Sequence, residues 1–103
     1  MSFIRNTTFI VERGAIIQFA EWARHVFIEA ARSSERFHDI TMARILTEVD
    51  PNAVSFAIQM KAPTLAVHDE WHRDVATLLK DDIASRLGAE RVLFFTTDME
   101  VID

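Results

Sequence analysis

The chain has 103 residues, 16 acidic and 11 basic side chains, and a formal net charge of −5. It has eight Phe and two Trp but no Tyr and no Cys, and 50% of its residues are hydrophobic. That length makes one domain, residues 1–103, able to bury a core without staples. With two Gly and two Pro, the composition argues against disorder. The acidic balance argues against nucleic acid as a partner, since phosphate binding needs clustered Lys and Arg. The absence of Cys excludes disulfides, thiolate metal sites and cysteine nucleophiles. No apolar run approaches the about 18 residues of a membrane span, and Met1-Ser2-Phe3-Ile4-Arg5-Asn6-Thr7-Thr8 has no signal-peptide pattern. The expected setting is the cytoplasm, with no membrane partner.

Phe3 to Val11, rich in β-branched and aromatic residues, reads as a first strand that Gly14 ends. A helix starts at Ala15, with Ile16, Phe19, Ala20, Ala23, Val26, Phe27 and Ala30 on one apolar stripe and Trp22 beside it. Ser33-Ser34 ends it. Ile40 to Val49 and Val54 to Lys61 read as a hairpin turned at Asp50-Pro51-Asn52, where Asp can bond back to the backbone. A four-residue loop pairs Ile45 with Ile58 and Ala43 with Met60, and on the other face Arg44 with Gln59 and Leu46 with Ala57. That register keeps the two faces chemically distinct. Pro63-Thr64 starts a second helix, with Thr64 as N-cap and Trp71, Val75, Leu78, Leu79 and Ile83 as its stripe. Gly88 is its C′ residue. Arg91 to Ile102 is the last strand.

The order β-α-β-β-α-β is the ferredoxin-like, α+β plan. Right-handed crossovers place both helices on one face of a four-stranded antiparallel sheet of order 4-1-3-2. The helices are expected to cover Phe9, Val11, Val54, Phe56, Ile58, Met60, Phe95 and Met99. The open face is expected to carry Ile4, Asn6, Thr8 and Ile10, then Met42, Arg44, Leu46 and Glu48, then Ser55, Ala57 and Gln59, then Phe94, Thr96, Asp98 and Glu100. Its apolar share suits a second copy, sheet against sheet. The candidate ligand-binding residues are its polar centre: Asn6, Thr8, Arg44, Gln59 and Asp98. Asp98 and Arg44 are expected to meet only across the dimer, because their strands lie about 14 Å apart at about 4.8 Å per strand.

Little else carries chemistry. His68 and His72 share a helical face, but Asp69 stands where the zincin pattern requires Glu, and no third ligand is evident. The segment therefore reads as a solvated helix face, with no metal. Ser33-Ser34 lacks a nucleophile-elbow context, and two glycines cannot form a phosphate loop. No cofactor is expected.

Phe56-Ala57-Ile58-Gln59-Met60 followed by Pro63-Thr64, Val75-Ala76-Thr77-Leu78, and Leu93-Phe94-Phe95-Thr96-Thr97-Asp98-Met99-Glu100-Val101-Ile102 resemble a small bacterial family, domain of unknown function 4286. Ile4 to Thr8, Trp22 and Phe37 to Leu46 are similar in spacing. The resemblance implies a ferredoxin-like, dimeric α/β-barrel type of fold with no established activity. Arg5 stands where the family has Tyr, Phe27-Ile28-Glu29 where it has His-Ile-Pro, and Thr96 where it has Arg. Arg44 and Gln59 match. The chain thus reads as a divergent member and a non-enzymatic homodimeric module for small-molecule binding or protein interaction. The alternative is a cofactor-independent, oxygenase- or isomerase-like enzyme with its site between two packed sheets.

Overall fold

The computed structural model describes residues 1–103. Strands β1 (Ser2–Glu12), β2 (Asp39–Ile45), β3 (Ala53–Ala62) and β4 (Val92–Val101) alternate with helix α1 over 16–33 and helix α2 over 65–87 in the order β-α-β-β-α-β. The sheet is antiparallel and runs β2-β3-β1-β4, with β1 and β3 central. Counted from the β4 edge this is 4-1-3-2. The fold is ferredoxin-like. No helix is long and apolar enough to cross a membrane.

Local chemistry sets the element ends. The Thr64 hydroxyl accepts the Val67 amide at 3.4 Å and caps α2. Gly88 ends α2 at φ 97°, with its amide bonded to the Ala84 carbonyl at 2.9 Å. A Cβ there would be strained. The Asp50 carboxylate accepts the Asn52 amide at 2.8 Å in the β2–β3 turn.

Each helix contains a π-type turn, Ala23–Phe27 in α1 and His72–Ala76 in α2. In α2 the Thr77 hydroxyl donates to the His72 carbonyl at 2.9 Å across it. Such a turn inserts one residue and rotates the remainder of the helix by about 100°. Of the expected stripe, Trp71 and Ile83 are buried and Val75 and Leu79 pack against the core, but Leu78 is 68% exposed, and Ala76, Lys80 and Leu87 complete the buried face.

Both helices pack on one sheet face around a cluster of 18 buried residues. Phe9 is its centre, with ring centroids 5.1 Å from Phe19, 6.1 Å from Trp22, 5.9 Å from Phe27 and 6.0 Å from Phe94. These tilted and edge-on arrangements are the favourable ones for aromatic rings.

Two registers differ from expectation. In the hairpin, Met42 pairs with Ile58, Ala43 with Ala57 and Arg44 with Phe56. This turns Ile40 and Met42 toward the helices, where both pack against the core. The paired ladder ends at Ile45 opposite Ser55, so 46–52 is a loop longer than the four residues expected. The cause is distant in sequence. Arg13 holds the loop through its amide to the Asn52 carbonyl at 3.0 Å, its Nε to the Pro51 carbonyl at 2.7 Å and its guanidinium to Glu48 at 3.3 Å. In the second register, β4 pairs Phe94 with Phe9, Thr96 with Thr7 and Asp98 with Arg5. Phe94, Thr96, Asp98 and Glu100 therefore lie on the helix side, and Phe95 and Met99 on the open side, the reverse of expectation. Phe9 and Val11 are in the core, so their partners Phe94 and Val92 share their face.

Phe9→Ala is expected to cost about 3–5 kcal/mol in chemical denaturation, the range for emptying a large aromatic site that neighbours cannot refill. A loss below about 1 kcal/mol would contradict the central place given to this ring.

Candidate functional site

The open face is built from alternate residues of all four strands. Ile4, Ile10, Ile45, Leu93, Phe95 and Met99 form its apolar part. Leu93 is 57%, Phe95 54% and Met99 37% exposed. The polar centre is Asn6, opposite Gln59 on β3 and Thr97 on β4, with Thr8 one step along the same face. The Asn6 amide nitrogen donates to the Thr8 hydroxyl at 2.9 Å. The Asn6 side-chain oxygen Oδ1 is buried without a partner, a cost unless something else supplies a donor. A dent of about 80 Å³ beside it is lined by Ile4, Asp39, Thr41, Gln59 and Lys61. It is well below the about 300 Å³ at which small-molecule pockets begin.

Of the five residues expected to share this face, Asn6, Thr8 and Gln59 do so. Arg44 is opposite Phe56 on the helix side and is exposed at the sheet edge, so it is not a neighbour of Gln59 there. Leu46 and Glu48 lie in the β2–β3 loop, off the sheet. Asp98 is on the helix side and finds its partner within the same chain.

That partner is Arg5. Its Nε and Nη2 meet the two Asp98 carboxylate oxygens at 2.7 and 2.9 Å. Nη2 also donates to Asp69 at 2.9 Å and Nη1 to the His68 carbonyl at 3.0 Å. This bidentate fork is the strong geometry for a carboxylate. Its hydrogen bonds hold the Asp98 carboxyl below the usual carboxylate range, against a smaller opposing effect of burial. Donating to Asp98 likewise raises Arg5 above its ordinary value despite its partial burial. The cluster ties the start of β1 to β4 and to the first turns of α2.

His68, expected on a solvated face, is fully buried. Its Nε2 donates to the Phe3 carbonyl at 2.9 Å, and its ring stacks on Phe37 at 5.5 Å. His72 is exposed, so the two do not form a common face. Asp82 accepts the Trp22 indole N–H at 3.0 Å and pairs with Arg86 at 2.9 Å. Arg86 lines a groove of about 580 Å³ between the helices, floored by Trp22, Val26, Ile83 and Leu87. His25 at its rim is paired with Glu21 at 3.2 Å. The ionic groups of the groove are thus already engaged with one another.

The model of the family described as Domain of unknown function (DUF4286) matches residues 2–102. No curated protein matches the chain. Among solved structures, a protein of Deinococcus radiodurans described as a candidate antibiotic biosynthesis monooxygenase is similar at TM-score 0.75 and 14% identity, covering 98% of this chain and 93% of that one. HapK from Hahella chejuensis is similar at TM-score 0.70 and 13% identity, covering 99% and 93%. A dimeric ferredoxin-like protein of unknown function from Jannaschia sp. is similar at TM-score 0.65 and 13% identity, covering 96% and 99%. At these identities the likeness is one of fold.

The Arg5 fork has a pH signature. Because Asp98 is held below its unfolded value, its contribution to stability is present above the unfolded carboxylate range. That contribution fades as pH falls through the folded value. Asp98→Asn is expected to lower the melting temperature at pH 7, by the equivalent of about 1 kcal/mol given the exposure of the carboxylate. The gap to wild type should close as pH falls below the ordinary carboxylate range. A gap that is constant with pH in thermal scans would contradict the assignment.

Proposed function

The chain belongs to the family described as Domain of unknown function (DUF4286), and on that premise we propose that it acts as a homodimer, two copies pairing through their open sheet faces. In this reading it is a binding or interaction module of the bacterial cytoplasm rather than a catalyst. The observation that carries it is the exposure of Leu93, Phe95 and Met99 on the face the helices leave bare. An apolar patch of this kind on a small protein favours a partner. Strands of this length at about 4.8 Å spacing give a face of roughly 500 Å² per copy. Two such faces bury about 1,000 Å², the lower bound for a stable interface. A two-fold axis lets one surface serve both partners. The Jannaschia protein, similar in fold, is described as dimeric.

A second reading has one observation in its favour. The unpartnered Asn6 Oδ1 would lie inside such an interface, beside Thr8 and Gln59. A ligand donor there would make the space between the sheets a site, as in a cofactor-independent oxygenase- or isomerase-like enzyme. A partner side chain or a water would satisfy the same atom without any site.

Sedimentation equilibrium is expected to give a particle of twice the 11.8 kDa chain mass. Phe95→Asp should shift it to the monomer, because a buried unpaired carboxylate is costly. Leu46→Asp, in the exposed loop, should leave the dimer intact. A wild-type monomer at millimolar concentration, or a dimer indifferent to Phe95→Asp, would contradict the reading. Electron density of a small molecule against Asn6 in a crystal of the dimer would favour the second reading.

A further inference from the structure

The groove between the two helices, about 580 Å³ in volume, takes no part in the proposed dimer contact. It lies on the helix side of the sheet, opposite the open face. Its size falls inside the range of about 300–1,000 Å³ typical of small-molecule sites. Its floor is apolar: Trp22 and Val26 from α1, Ile83 and Leu87 from α2. Trp22, Ile83 and Leu87 are buried, and Val26 packs against the core.

The floor is also held in place. The Trp22 indole N–H donates to Asp82 at 3.0 Å. Its ring centroid is 6.1 Å from that of Phe9 and 5.7 Å from that of Phe27. Val26 lies within the π-type turn Ala23–Phe27, where the Ile28 amide bonds to the Ala23 carbonyl. Such turns are rare and are frequent at functional sites. The groove is therefore preformed and its lining is rigid, which lowers the ordering cost of binding.

Charge and length decide what it accepts. Among the lining residues, Arg86 gives its Nε to Asp82 at 2.9 Å, and Glu21 pairs with His25 at 3.2 Å. An anion would draw Arg86 away from the carboxylate that also holds the Trp22 indole. A cation would draw Glu21 away from His25. An uncharged molecule disturbs neither pair, and Gln18 at the rim offers it a neutral donor and acceptor. The floor covers residues 22–26 of one helix and 83–87 of the other. That is about 6 Å at about 1.5 Å per residue, too short for the two turns of anchors that a docked helix uses.

We propose that this groove binds a compact, uncharged and mainly apolar small molecule, its ring or hydrocarbon body on Trp22, Val26, Ile83 and Leu87 and its one polar group toward Gln18. The inference stands whether or not the open faces pair.

The test uses the full chain and three probes that share one ring system: 2-naphthylmethanol, which is uncharged, 2-naphthoate, an anion, and 2-naphthylmethylammonium, a cation. The readouts are the two indole N–H signals and the backbone amides in two-dimensional NMR. The alcohol is expected to shift the Trp22 indole and the Val26 amide and to leave the Trp71 indole in place. It should bind at least fivefold more tightly than either ion. Val26→Asp should weaken it at least tenfold by placing a charge on the floor. Gln18→Trp, at an exposed position, should weaken it at least threefold by filling the groove. No response to the alcohol at millimolar concentration would overturn the proposal and leave the groove to a partner protein. Shifts confined to Phe95 and Met99 would overturn it by placing the probe on the open face. Binding of either ion as tight as that of the alcohol, or unchanged affinity in both variants, would also overturn it.

Discussion

Strand β1 is the constraint on which the rest of the structure depends. It pairs with β3 along one edge and β4 along the other, so its alternation decides both faces of the sheet. Phe9 and Val11 enter the core on one side, while Asn6 and Thr8 stand on the other. Every neighbouring residue inherits its side from this choice, because a one-residue slip would exchange the two faces. The Arg5–Asp98 fork and the Phe9–Phe94 contact lie in the same register. An ion pair and an aromatic pair thereby select the same alignment.

The consequence is an uneven division of apolar surface. The helices cover β1 and β3 thoroughly, but they leave much of β4 exposed. Phe94 is 39% exposed on the helix side and Phe95 54% on the open side. An edge strand with apolar residues on both faces is a liability for a free monomer. A second copy would cover the open side. The helix side keeps a partly exposed aromatic ring, Phe94.

The order of elements, the Thr64 cap, the Gly88 stop and the Asp50 turn were legible because each depends on residues close in sequence. The placement of Asn6, Thr8 and Gln59 on the open face was also legible, since Phe9 and the apolar residues of β3 define the core side. Asp98 and Arg44 were not. In β4, Phe94 and Phe95 are adjacent, so hydrophobicity points both ways, and Arg5 decides from the far end of the chain. In the hairpin, Arg13 lengthens the loop through contacts that no local pattern announces. Leu78 read as buried because a π-type turn leaves no signature in the spacing of apolar residues. His68 read as solvent-facing for want of any local sign that Phe3 and Phe37 would enclose it.

The four methionines offer the most direct check on the division of faces and on the proposed dimer. Met1 is 88% exposed, Met99 37% and Met60 1%. Their methyl signals can be monitored while a soluble paramagnetic agent is added. If a second copy covers the open face, the Met99 methyl should be as protected as that of Met60, with Met1 broadened strongly. Broadening of Met99 toward the level of Met1 would contradict the account.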